Sequence, residues 1–281
     1  MRKCREHSSR RAQPAFVVCA VLAGVALVTV AATRMPARAA SASGFAASGG
    51  DAACTSLTAC YSARQFDAAY GILPLLEHGT TGQGQTVVLP ELAEPQFPLP
   101  TSDIRHDLAE FDTLFHLPAA RVRVVSSLAP SASPWLANGE EVLDTEMVHA
   151  VAPGAAIVEV LVKGTSLDTA AGGVAAAGAA LRLGTSLGSV ISISAAGQTG
   201  GEHCDTRPEV AALHATLQGA AAHHVTVVAA SGDIGAVGEP CRLVEGLIGG
   251  HFPPVKEVNL PATDPLVLAA GGTTLTARRG R

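Results

Sequence analysis

The sequence predicts an α/β fold, a doubly wound, mostly parallel sheet flanked by helices. Two observations carry that prediction. Short runs of continuous apolar residues alternate with longer segments of helical character, the pattern of strands covered on both faces by crossover helices. Composition agrees: hydrophobic residues are 48% of the 281 and charged residues 15%, with 29 glycines. A chain that apolar has enough surface to bury for a folded domain. No internal repeat breaks the alternation.

The elements follow in order. Gln85 to Leu89 reads as a buried strand, and Asp103 to Phe115 as an amphipathic helix capped by Ser102 or Asp103. Arg121 to Ser126 is the second strand. Glu140 to about Ala150 is a helix that stops ahead of Pro153, because the residue before a proline is pushed out of the helical region. Ala156 to Val162 is the third strand and Leu167 to Leu183 a helix of small residues. Asp168 and Arg182 near its ends, with Lys163 just before it, point to a closely packed core helix rather than a membrane span. Val190 to Ser194 is the fourth strand, Pro208 to His223 a helix, Val225 to Ala230 the fifth strand and Pro265 to Ala270 the sixth.

The start of the chain has a different character. Arg2, Lys3, Arg5, Arg10 and Arg11 precede an apolar run from Ala15 to Ala32, and Ala37-Arg38-Ala39 then places small residues two apart. This is the plan of a secretory signal peptide over residues 1–40, with cleavage after Ala39 or Ala40. The run is also at the lower limit for crossing a bilayer, so the other reading is a retained anchor. Contact with a membrane is expected only through this segment, if it stays uncleaved. Residues 41–53 read as a flexible leader, and residues 54–281 as the domain. Export makes the remaining cysteines, Cys54, Cys60, Cys204 and Cys241, candidates for two disulfides. Three pairings are possible, and Cys54–Cys60 with Cys204–Cys241 is the expected one.

Charge excludes one class of partner. The net charge of −5 conceals seven bases and one acid in residues 1–40, against 12 bases and 23 acids in the rest. So acidic a body lacks the footprint that a nucleic-acid backbone requires.

Three segments at the expected carboxyl ends of strands or beside them could carry chemistry. Glu140 and Asp144 lie four apart and so share a helix face about one turn from each other. Two carboxyls that close do not both ionise easily, which suits general acid/base work in an acidic medium. The same acids, with Asn138 three residues before Glu141, also fit a capping box and a favourable helix dipole. Ser231-Gly232-Asp233 directly follows the fifth strand. It reads as a turn, or as a place where a partly buried, protonated Asp donates to a developing oxyanion. Gly271-Gly272-Thr273-Thr274, after the sixth strand, is a glycine turn of low specificity.

Taken in order, these segments resemble the sedolisin-type (kumamolisin-like) serine-carboxyl peptidases. The likeness runs from about residue 54 to 275. It is carried by Tyr61 to Ile72, Thr81 to Thr86, Phe111 to Pro118, and Gly139-Glu140 through Asp144 to His149 and Pro153-Gly154-Ala155. Val190 to Ser194, Ala230 to Asp233, and Leu260-Pro261-Ala262 through Gly271-Gly272-Thr273 complete it. The resemblance implies a subtilisin-like fold and a secreted endopeptidase that cleaves peptide or protein substrates at acid pH. It assigns Glu140 as the general base, Asp144 as the acid that orients Glu140, and Asp233 as the protonated oxyanion donor. The family's nucleophile lies in a Gly-Thr-Ser turn downstream of the Gly-Gly-Thr segment. Both Gly-Thr-Ser triplets of this chain, 164–166 and 184–186, precede Asp233, and Ser166 reads as a helix N-cap. The expectation is therefore the N-terminal part of a catalytic domain, with no nucleophile in this chain. The family's calcium site would fall beyond residue 281, so no metal or cofactor is expected within it. The alternative is an inactive extracellular pseudopeptidase that binds peptide or protein through the retained cleft.

Overall fold

The computed structural model describes residues 61–92, 102–126, 136–137, 139–162, 174, 177–179, 190–194, 205–232, 235–238, 255–256 and 258–275. The signal segment, the leader, all four candidate disulfide cysteines, Ser166 and Asp233 lie outside them, as does most of the expected helix 167–183.

Among the described residues, six parallel strands form the sheet: β1 (Thr86–Leu92), β3 (Arg121–Ser126), β5 (Ala156–Val162), β6 (Val190–Ile193), β7 (Thr226–Ala230) and β10 (Val267–Ala270). Their spatial order is β3-β5-β1-β6-β7-β10. From β1 the chain passes to β3 at one edge and returns to β5 between them, then crosses to build β6, β7 and β10 outward on the other side. The predicted fold class holds, and each of the six expected strands is present. Two short antiparallel ladders, β2 (Ser102–Asp103) with β4 (Leu136–Ala137) and β8 (Val237–Gly238) with β9 (Val255–Lys256), stand apart from the sheet.

Among the described residues, the helices that accompany the strands include α1 (Ala63–Ala69), α2 (Leu73–Glu77), α3 (Ile104–Phe115), α4 (Gly139–Val151) and α5 (Arg207–Ala222). Of the two caps proposed for α3, Asp103 makes the bond, accepting from the Arg105 N–H at 3.0 Å. Helix α5 starts on a capping box in which the Thr206 N–H and hydroxyl both donate to Glu209, each at 2.7 Å. Helix α1 falls within the Tyr61 to Ile72 family motif, whereas α2 lies between the quoted motifs and was not foreseen, because each is shorter than two or three clear periods of apolar residues. Among the described residues, no helix is long and apolar enough to cross a membrane.

Strand alternation divides the core in two. Val88, Val158, Val160, Ile191 and Ile193 pack against Leu213, Leu217 and Ala220 of α5 on one face. Val87, Leu89 and Ile157 pack against Val148 of α4 and against Ala152 and Ala155, which follow it, on the other. Apolar residues on both faces are the reason these strands read as continuous hydrophobic runs. The α4–β5 turn allows little volume: a Cβ on Gly154 would lie 2.5 Å from the Thr81 hydroxyl. The Gly154 N–H donates to the Thr81 carbonyl at 2.7 Å, tying the turn to the approach of β1.

Candidate active site

Along the face of the sheet under α4, the side chains change chemistry as the strands approach their carboxyl ends. Residues two apart on a strand share a face, so Val87 and Leu89 are followed on β1 by Glu91, and Ile157 on β5 by Glu159. Glu91 and Glu159 are both buried. Helix α4 changes in step. Its later turns set Val148, and Ala152 just past its end, over the apolar half, while its first turns bury Glu141, Asp144 and Thr145 beside the strand carboxyls. Four buried carboxyls therefore meet where the carboxyl ends of β1 and β5 face the start of α4.

Such a cluster is stable only if protons stay on it, since an unpaired buried charge is costly. Glu91 is raised well above its ordinary value, first by burial and then by repulsion from Asp144, Glu141, Glu159 and Glu140. Asp144 is also raised by burial, although hydrogen bonds from Ser194 and with Glu91 work in the opposite direction. A hydrogen bond between two carboxyls needs a proton on one of them, so Asp144 and Glu91 titrate as a pair. Glu91 Oε1 and Asp144 Oδ2 meet no donor among the described residues, as befits a pair holding a proton. Burial raises Glu159 to about 7, against the lowering effect of a hydrogen bond from Thr145.

Glu140 differs from its neighbours. It sits exposed in the first turn of α4, one turn ahead of buried Asp144. The helix thus offers one carboxyl to solvent, backed by a second that is protected and proton-coupled to a third. A solvent-facing carboxyl one turn from a buried, proton-sharing pair is an arrangement through which a proton can be exchanged.

Farther along the same edge, the ends of β7 and β10 border a cleft of about 630 Å³ lined by Ser231, Gly232, Asn259 and Gly271 to Thr274, among others. Strand β6 joins this region to the carboxyl cluster, since it lies between β1 and β7 and Ser194 follows it directly. The Asn259 amide donates to the Ser231 carbonyl at 2.9 Å, and the Ser231 N–H donates to Ala270 O at 2.9 Å. Gly232 has φ +103, and a Cβ there would lie 2.0 Å from Asn259 Nδ2, so only glycine fits. The described lining carries no charged side chain and mixes hydrogen-bonding groups with small apolar ones. Asp233 follows Gly232 immediately but lies outside the described residues.

Glu140 and Asp144 both lie on α4, one turn apart, and the structure sets Glu91, Glu159, Glu141 and Ser194 around Asp144, none of which the sequence reading singled out as a site residue. A solitary Glu inside an otherwise apolar strand was the available signal for Glu159. Among the described residues, no three His, Cys, Asp or Glu side chains are placed to hold a metal ion.

No family model matches the chain. It is 32% identical over 208 residues to kumamolisin of Bacillus sp. (strain MN-32), a match that covers 72% of this chain and 33% of kumamolisin. The chain therefore spans about a third of the length of that relative. Among solved structures it is similar to Pseudomonas sedolisin, a serine-carboxyl proteinase complexed with two molecules of pseudo-iodotyrostatin. That match has 18% identity and a TM-score of 0.46, covering 70% of this chain and 51% of the other. The protease domain of PatA, in mutant form, matches at 16% identity and a TM-score of 0.36, covering 67% of this chain and 58% of the other.

Proposed function

The chain belongs with the sedolisin-type (kumamolisin-like) serine-carboxyl peptidases, and from that premise we propose that it forms the carboxyl-bearing part of a secreted endopeptidase acting on peptides or proteins at acid pH. The observation that carries the proposal is the exposed Glu140 one helical turn from the buried, proton-coupled Asp144–Glu91 pair. In this reading Glu140 is the general base that takes the proton of a serine hydroxyl as it attacks the scissile carbonyl. Asp144, held by Ser194 and Glu91, orients Glu140 and shares its proton. A carboxyl base is active only where it is ionised, while its buried partners work only where they keep a proton. Both conditions hold together in mildly acid solution.

Asp233 is proposed as the oxyanion donor. It follows Gly232 at the mouth of the neutral cleft, where a protonated carboxyl could reach a carbonyl oxygen of bound peptide. Cys54, Cys60, Cys204 and Cys241 are proposed to pair as two disulfides after export through the segment 1–40. Since both Gly-Thr-Ser triplets precede Asp233, this chain by itself is proposed to hold peptide without hydrolysing it. That is also what the pseudopeptidase alternative requires.

The test is incubation of the purified chain with an unstructured protein at about pH 4, following both binding and the release of new amino termini. Binding without cleavage is expected. Cleavage that is abolished by Glu140→Ala and traced by serine-directed labelling to a residue of this chain would overturn the assignment of no nucleophile. Absence of binding would count against the cleft as a peptide site.

A further inference from the structure

Residues 259–266 are a run of turns leading into β10, and this arch gives the cleft one wall through Asn259, Ala262 and Thr263. Within it the Thr263 N–H donates to Asn259 O and the Asp264 N–H to Pro261 O, each at 3.0 Å. Leu260 and Ala262 anchor the arch in the core shared with Leu213 and Leu217 of α5. Its polar anchor is Asp264, whose side chain is 6% exposed. One carboxylate oxygen accepts the Leu266 N–H at 2.9 Å, and the other lies 2.8 Å from Nδ1 of His214 on α5. A carboxylate only accepts, so Nδ1 carries the hydrogen of that bond. The Gln218 amide nitrogen, a donor, lies 3.1 Å from His214 Nε2, so the tautomer with its hydrogen on Nδ1 satisfies both contacts. Protonation of the ring leaves the Nδ1 bond in place.

We propose that His214 is a positioning residue for the cleft, which through Asp264 clamps the arch to α5 and so fixes the wall against which a peptide lies. The role in binding rests on the reading of the cleft as a peptide site, whereas the clamp itself does not. His214 does not line the cleft, so it acts on a ligand through the arch. The effect reaches the opposite wall. Asn259, at the start of the arch, donates its side-chain amide to the Ser231 carbonyl at 2.9 Å and occupies the space that a Cβ on Gly232 would fill. The arch thereby sets the Ser231–Gly232 turn, which leads directly to Asp233. Without His214, a buried carboxylate oxygen loses its donor, and the turns it holds are freer to shift. The bond has a charged acceptor, which strengthens it, and a half-exposed donor, which exposes it to screening by water.

Amide hydrogen exchange of the full chain tests the clamp without any catalysis, and peptide binding tests its consequence. His214→Phe keeps a ring but removes the donor, and exchange at the Thr263 and Asp264 amides should quicken by about fivefold. His214→Asn places an amide N–H where Nδ1 lies and should restore the wild-type rates. With a fluorescently labelled peptide of Ala, Gln and Leu residues as the probe, affinity should weaken by about fivefold in His214→Phe and recover in His214→Asn. Val87→Ala, which weakens the core on the opposite face of the sheet, should leave both readouts as in the wild type. Unchanged exchange in the arch of His214→Phe would overturn the clamp. Faster exchange there with unchanged affinity would overturn the positioning role. So would equal changes in Val87→Ala, because a residue that only stabilises the fold would then account for them. Failure of the wild type to bind the peptide would overturn the cleft as a peptide site, and the positioning role with it, while the exchange rates would still decide the clamp.

Discussion

Helix α4 lies over one face of one sheet, yet the two ends of that interface are built from opposite materials. At the amino end of the strands, Val87, Leu89 and Ile157 meet Val148, Ala152 and Ala155. At the carboxyl end, Glu91 and Glu159 meet Glu141, Asp144 and Thr145. The backbone geometry is continuous across the boundary: β1 and β5 stay in register from Thr86↔Ala156 to Leu92↔Val162. The contrast separates what stabilises the fold from what the fold is stabilised to hold. The apolar half gains by leaving water at any pH. The carboxyl half loses by leaving water unless it keeps its protons, and so ties the stability of the protein to acid solution.

The largest single-residue effect should come from the apolar half. Leu89→Ala removes a fully buried side chain and should cost about 3 kcal/mol of unfolding free energy. Urea unfolding at acid and neutral pH should give the same loss, because nothing in that cluster titrates. A loss confined to one pH would break the division between the halves.

The carboxyl half should respond in the other sense. Asp144→Asn removes a buried acid whose pKa is raised by burial. It should leave stability nearly unchanged in acid and raise it by about 2 kcal/mol at neutral pH, where the wild type bears the cost of ionising it. The cost of the substitution would be paid in function. A smaller effect is expected of Ser194→Ala. The Ser194 hydroxyl bonds to Asp144 and favours its ionised form, so its loss should cost about 1 kcal/mol above the Asp144 midpoint and less below it. The Asp144 midpoint, followed by carboxyl carbon chemical shift, should move upward.

The two halves were not equally legible in the sequence. The apolar half announced itself as hydrophobic runs, and the strands 121–126 and 156–162 have the boundaries that the pattern indicates. Helix α4 was legible from its end at Pro153, and Glu140 with Asp144 from the four-residue spacing. Glu91 was hidden by Pro90. A proline cannot donate to a sheet ladder and breaks the apolar run after Leu89, whereas β1 continues through Pro90 to Leu92 and delivers Glu91 to the site. Glu159 was inside a correctly placed strand, but its partner Thr145 is contributed by a helix 14 residues earlier. Periodicity reports which face a residue occupies, and not what the other layer places against it. The neighbourhood of the cleft has the same lesson: Asn259, which fixes Ser231, lies 28 residues from it in sequence.

The most direct test of the whole account is the unfolding free energy of the wild-type chain as a function of pH. Burial raises the folded-state pKa of Glu159 and Glu146 from 4.5 to about 7 and that of Asp67 from 3.8 to about 7, and Asp144 and Glu91 move in the same direction. For an acid whose folded pKa is raised, the folded state binds the proton more tightly than the unfolded chain. Its contribution is then complete below the unfolded pKa and is lost as pH rises through the folded one. Urea titrations should show stability declining by several kcal/mol, roughly, from about pH 4.5 to about pH 7 and levelling beyond. A profile that is flat or rises across that window would mean that the buried carboxyls are ionised at no cost, and would contradict the proton-holding site at the centre of this account.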